Sequence, residues 1–183
     1  MAIRKIVTIG DEILRKEARK VKKFDRELHR LLDDMAETMR DAPGVGLAAP
    51  QVNVPDRVIV VELPKEEDDP QSGKLYEFVN PEIVFASNEE VEGEEGCLSI
   101  PHIVGDVWRS QRVVVKGQDR NGKPQKIEAN DWLARVFQHE VDHLNGVLFI
   151  DRVEGPEHVR RMIKVVDEKG EEHYQAIPMT ELV

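Results

Sequence analysis

The stretch NDWLARVFQHEVDHLNG, residues 130–146, decides how the rest of the chain must be arranged. Trp132, Leu133, Val136, Phe137, Val141 and Leu144 recur at helical spacing but cover more than one side, which predicts a helix buried among other elements. Asn130 or Asp131 is placed to cap its start and Gly146 to stop it. Within it, His139 and His143 lie one turn apart on the same face, and Glu140 sits about 100° further round. Three ionisable groups on a buried helix are costly unless something compensates them. Two imidazoles converging on one metal ion, with a carboxylate reaching a water beside it, would be such compensation. Hydrogen-bonded core histidines are the competing reading.

A catalytic metal site of this kind needs a third protein donor and an open position. The metzincin pattern H-E-x-x-H-x-x-G-x-x-H is followed as far as Gly146, but its last position is Phe149, which excludes that class. Downstream, Glu154, Glu157 and Glu168 are available, none in a second helical motif. Upstream lies Cys97, the single cysteine, in EEGCLSIP at 94–101. As a thiolate it would complete a tetrahedral Cys-His-His site whose fourth position is water. A nucleophilic Cys97 would leave one histidine and Glu140 without a task, and Ser99 lacks the G-x-S-x-G frame of a nucleophile elbow.

Working outward, Leu28, Leu31, Leu32, Met35, Ala36 and Met39 predict an amphipathic helix between Asp25 and Asp41, capped by Asp25. RVIVVEL at 57–63 reads as a buried strand and PKEEDDPQSGK at 64–74 as a solvated loop. LYEFVNPEIVFA at 75–86 predicts two short strands broken at Asn80-Pro81, because proline donates no ladder hydrogen bond. QRVVVKGQDRNGKPQKIEA at 111–129 reads as a hairpin turning at Asn121-Gly122. The tail after Glu154 has mixed periodicity, with a helix starting at Pro156 and an extended end as the expectation. Together these predict an α+β fold in which short mixed or antiparallel sheets pack around the central buried helix, as a single domain over residues 1–183.

Charge and composition narrow the function. A formal net charge of -10 argues against general affinity for DNA or an anionic membrane. No apolar run approaches the roughly 20 residues of a membrane span, and the first residues lack a signal peptide's apolar core, so a cytoplasmic location is expected. GVGLAAPQ at 44–51 has two glycines but neither a third nor a G-K-[ST], and a helix precedes it, so it is not a dinucleotide loop. Gly44 and Gly46 instead let the backbone approach an extended peptide closely, as an added strand does.

In this order GVGLAAPQ, EEGCLS and QHEVDH resemble the three signature motifs of the peptide deformylase family. The resemblance runs from about residue 3 to residue 153, through ILRK at 13–16, Asn80-Pro81, Val107 to Arg109 and GVLFIDR at 146–152, leaving the 64–74 loop and the tail after Glu154 without counterpart. It implies removal of the N-formyl group from formyl-methionine at the start of nascent polypeptides, releasing formate. It also implies Cys97, His139 and His143 as metal ligands, Glu140 as general base and acid, and Gln51 with the Leu98 N–H facing the oxyanion. The substrate would lie beside Gly44, Val45 and Gly46, its methionine in an apolar pocket to which Val45, Leu133 and Val136 contribute. The implied ion is Fe2+, with Zn2+, Ni2+ or Co2+ accepted by the same ligands. Arg109 would be structural, paired with a carboxylate such as Glu95, and Arg160, Arg161 and Lys164 would form a basic face for a transient ribosome contact if the tail is helical.

Overall fold

The computed structural model describes residues 2–167 and 170–181. In chain order the elements are α1 (Arg26–Asp41), β1 (Gly46–Ala48), β2 (Val58–Glu62), β3 (Leu75–Ala86), β4 (Glu90–Cys97), β5 (Ile100–Ser110), β6 (Arg112–Gln118), β7 (Pro124–Asn130), α2 (Asp131–Leu144), β8 (Val159–Val166) and β9 (Glu172–Pro178), with short 3-10 turns between them. One sheet has strand order β1-β2-β3-β6-β7 and a second has β4-β5-β8-β9. Every strand pair in them is antiparallel, and among the described residues the parallel geometry allowed by the sequence is confined to one isolated bridge between Arg19 and Asp56.

The unbroken apolar run of β2 is explained by what covers it. Val58 and Val60 pack on α1 with Leu47, Leu32 and Met35, whereas Ile59 and Val61 pack on α2 with Phe137, Val141 and Leu144. A strand covered on both faces has no use for polar alternation. Asp25 starts α1 as expected, its carboxylate accepting from the N–H groups of Glu27 and Leu28 at 3.1 and 3.2 Å. α2 is the buried centre of the fold, and a third apolar cluster of Leu14, Ile100, Val107, Leu148 and Phe149 joins the chain's start to the four-stranded sheet. Gly146 ends α2 at φ 72°, where a side chain would be strained and a Cβ would come within 2.6 Å of the Arg15 carbonyl oxygen.

Two expectations are corrected. β3 is one strand rather than two, and Asn80-Pro81 forms a register shift within it. Asn80 takes φ 52° there, and its side-chain amide pairs with the N–H and carbonyl of Val21 at 2.8 and 3.0 Å, replacing the ladder bonds that the proline cannot make. The tail is a β-hairpin, not a helix: Pro156–His158 is a single 3-10 turn, after which β8 pairs with β5 and β9 with β8. Arg160, Arg161 and Lys164 are therefore not on one basic helical face: they lie on β8, where Arg161 falls on the opposite side from the other two. Arg160 bonds Asp106 and Glu94, and Lys164 pairs with Glu172.

Candidate active site

α2 and the end of β4 bring the proposed donors together. Cys97 Sγ and one ring nitrogen each of His139 and His143 all lie within 4.8 Å of one another, the only group of this kind among the described residues. Sγ is 3.3 Å from His143 Nε2. Glu154 and Glu157 are not part of the cluster, and Glu168 lies outside the described residues. Cys97 and His139 line a cleft of about 620 Å3, and His143 is buried behind them. Gly44, Val45, Gly46, Gln51, Leu98, Val136 and Glu140 line it, but Leu133 does not: its side chain is directed into the core against the five-stranded sheet.

The donor set fits a metal ion by its orientation as well as its chemistry. Glu95 accepts from His139 Nδ1 at 2.9 Å, which turns Nε2 of that ring towards the cysteine. Arg109, buried between the elements, donates to Glu95 from Nε at 2.8 Å and Nη2 at 3.0 Å, and from Nη1 to Asp142 at 2.6 Å. Arg135 adds a bond to Glu95 at 2.9 Å, and Arg152 holds Asp142 through two further bonds. Phe149, the residue that breaks the metzincin pattern, stacks on His139 with centroids 6.1 Å apart. The Arg109–Glu95 pair was legible in the sequence. Asp142 was not singled out, although its place three residues after His139 puts it on the ligand face of the helix.

Charge in this cluster is set by burial and by these partners. Burial raises the Glu95 carboxyl, but the hydrogen bonds from Arg109 and His139 outweigh it and hold the group down at about 2. Because that value lies below the one in the unfolded chain, Glu95 stabilises the fold fully above pH ~4.5 and loses this contribution as pH falls towards about 2. The stability difference between the protein and Glu95→Gln, measured by urea unfolding, is expected to reach about 3 kcal/mol near neutrality and to narrow steadily below pH ~4.5. A difference that stays constant over this range would contradict the assignment.

Glu140 behaves oppositely. Burial pushes its carboxyl up to about 7, and Oε2 is buried without a hydrogen-bond partner among the described residues. Gln51 is held by its own loop, Oε1 accepting from the Ala48 N–H at 2.9 Å. Its Nε2 makes only long contacts with Ser99 Oγ at 3.2 Å and Cys97 Sγ at 3.5 Å. The two glycines of the first motif have a reason that the sequence did not show. A Cβ on Gly46 would overlap the Glu140 carboxylate, and one on Gly44 would come within 2.8 Å of Leu98 Cδ1. Gly46→Ala is therefore expected to displace Glu140 and lower turnover about 100-fold while the chain still folds. Turnover within threefold of the unsubstituted protein would show that Glu140 tolerates the shift.

The cysteine in this cluster distinguishes it from the H-E-x-x-H-x-x-G-x-x-H pattern, and the fold and cluster together point to a metallohydrolase of another kind. The model of the polypeptide deformylase family matches residues 3–159. A peptide deformylase of Symbiobacterium thermophilum is 51% identical over 178 residues, covering 96% of this chain and 75% of the relative. One of Pelotomaculum thermopropionicum is 47% identical over 167 residues, covering 91% and 100%. The crystal structure of a peptide deformylase from Legionella pneumophila is similar with a TM-score of 0.76 and 46% identity, covering 84% of this chain and 87% of that one. The chain belongs to the polypeptide deformylase family, and as a member it is a hydrolase that removes the N-formyl group from nascent peptides.

Proposed function

We propose that Cys97, His139 and His143 hold one divalent metal ion, and that Glu140, Gln51 and the Leu98 N–H carry the hydrolysis of the formyl amide beside it. The observation that carries this reading is the convergence of the three donor atoms within 4.8 Å of one another, two of their residues lining the same cleft as Glu140. When bound, such an ion supplies positive charge that polarises the formyl carbonyl and lowers the pKa of water. Glu140 takes a proton from the attacking water as the new C–O bond forms. Gln51 Nε2, only loosely engaged in its present contacts, and the Leu98 N–H donate to the oxygen that becomes negative. As the C–N bond breaks, Glu140 returns the proton to the departing amine, leaving formate and a free amino terminus.

Gly44, Val45 and Gly46 pair with the extended substrate backbone, and Val45 and Val136 contribute to the apolar wall against its methionine. Iron(II) is the ion this reading assigns, with zinc, nickel or cobalt held by the same donors. The chain acts as a single domain in the cytoplasm, where formylated chains leave the ribosome. No helix among the described residues is long and apolar enough to cross a membrane. A transient ribosome contact is better served by the exposed Lys20, Lys22, Lys23, Arg26 and Arg30 than by Arg160 and Lys164 of the tail, because none of these five has an acidic partner among the described residues, whereas both tail residues do.

Metal analysis of Cys97→Ala tests the ligand set. The unsubstituted protein, purified without oxygen, is expected to carry about one ion per chain and the variant less than about a tenth of that, since two imidazoles alone hold such an ion weakly. Full metal content in the variant would remove Cys97 from the site.

A further inference from the structure

The cleft extends beyond the elements that the family match covers, which ends at residue 159. β8 pairs with β5, and β9 with β8, so the hairpin continues the sheet whose β4 carries Cys97. The register sets Met162 opposite Ala176 and Lys164 opposite Tyr174, placing all four on one face. From that face Met162 and Tyr174 line the same cleft as Cys97 and Glu140. Tyr174 is 60% exposed there and Trp132, at the start of α2, 44%, so two large rings border the cleft with much of their surface uncovered. The neighbouring charges are neutralised: Arg160 lies 2.6 Å from Asp106 and 2.9 Å from Glu94, and Lys164 pairs with Glu172.

We infer that the β8–β9 hairpin is a second peptide-binding subsite, in which Met162 and Tyr174 receive an apolar side chain from the third or fourth residue of the formylated peptide. The inference rests on the deformylase reading above and extends it. Three inter-strand steps of about 4.8 Å separate β4 from β9, roughly 14 Å, which an extended peptide covers in about four residues at ~3.3 Å each. The reach of the tyrosine ring brings contact forward to the third or fourth. Methionine adapts to side chains of different shape and tyrosine presents a broad rigid face, so the subsite selects apolar and aromatic residues as a class. The cleft that holds the reacting groups runs onto this surface without interruption, which makes the substrate its occupant.

The test compares kcat/KM for formyl-Met-Ala-Phe-Phe and formyl-Met-Ala-Ser-Ser, with formyl-Met-Ala as the short reference, using the full chain. The unsubstituted protein is expected to prefer the Phe-Phe peptide about tenfold. Met162→Ser with Tyr174→Ser should reduce that ratio below about threefold, each single variant part of the way, and Tyr174→Phe should preserve it. A ratio near one in the unsubstituted protein, a preference that survives the double substitution, or an equal loss on both long peptides would overturn the subsite. Failure of the unsubstituted protein to turn over formyl-Met-Ala would instead overturn the reading of the reaction itself.

Discussion

Glu140→Gln is expected to lower kcat/KM on a formylated peptide about 1000-fold while making the metal-free chain more stable, by about 1–3 kcal/mol. The two effects have one cause. The Glu140 carboxyl is buried, its Oε2 has no partner among the described residues, and burial has pushed it up to about 7, so the fold bears the cost of keeping a charge largely withdrawn from solvent. A neutral amide of the same shape relieves that cost and loses the ability to take and return a proton. A glutamate kept for structure would give the opposite result, with stability falling and turnover changing little. Urea unfolding of the chelated proteins and turnover of the metal-loaded ones, with metal content recorded, separate the two.

Arg109→Met is expected to destabilise the protein by about 3 kcal/mol, the lower part of the range for breaking a buried ion pair. Its guanidinium is 3% exposed and bridges Glu95 to Asp142, so its removal leaves two buried carboxylates short of their central partner. Arg135 still reaches Glu95 and Arg152 still reaches Asp142, which is why the loss should not approach 5 kcal/mol. The same substitution loosens Glu95, which orients His139, and is expected to weaken metal affinity 10- to 100-fold. Arg109→Lys should recover less than half of the stability, because an ammonium cannot form the two-pronged contact with Glu95. Urea unfolding checks the first effect and a competitive chelator titration the second. Losses under 1 kcal/mol and under threefold would show that Arg135 and Arg152 suffice.

How much of this was legible in the sequence depended on how local each signal was. α1, β2 and α2 carry their own apolar patterns, α1 its Asp25 cap and α2 its Gly146 stop, but the cap expected at the start of α2 is not made: Asn130 forms no side-chain cap bond and Asp131 accepts from Gln111 instead. Cys97, His139 and His143 were legible because an i, i+4 histidine pair on a buried helix called for a third donor, and the single cysteine could supply it. β3 was misread at Asn80-Pro81, since the side-chain bonds that let the strand continue come from Val21, 59 residues away. The tail was misread for the same reason: its mixed pattern becomes a strand because β5 offers a free edge, which no window of the tail contains. Gly46 was read as an approach for substrate, while its tightest neighbour, Glu140, stands 94 positions later. Leu133 shares a helix face with core residues as readily as with the cleft, and burial alone settled its place.

The most direct measurement is formate release from formyl-Met-Ala-Ser by protein purified without oxygen and with its metal content recorded, with acetyl-Met-Ala-Ser as control. Selective turnover of the formyl peptide, with formate and the free amino terminus appearing in equal amounts, is the predicted result. No release by protein carrying a full complement of metal, or equal turnover of the acetyl peptide, would contradict the account.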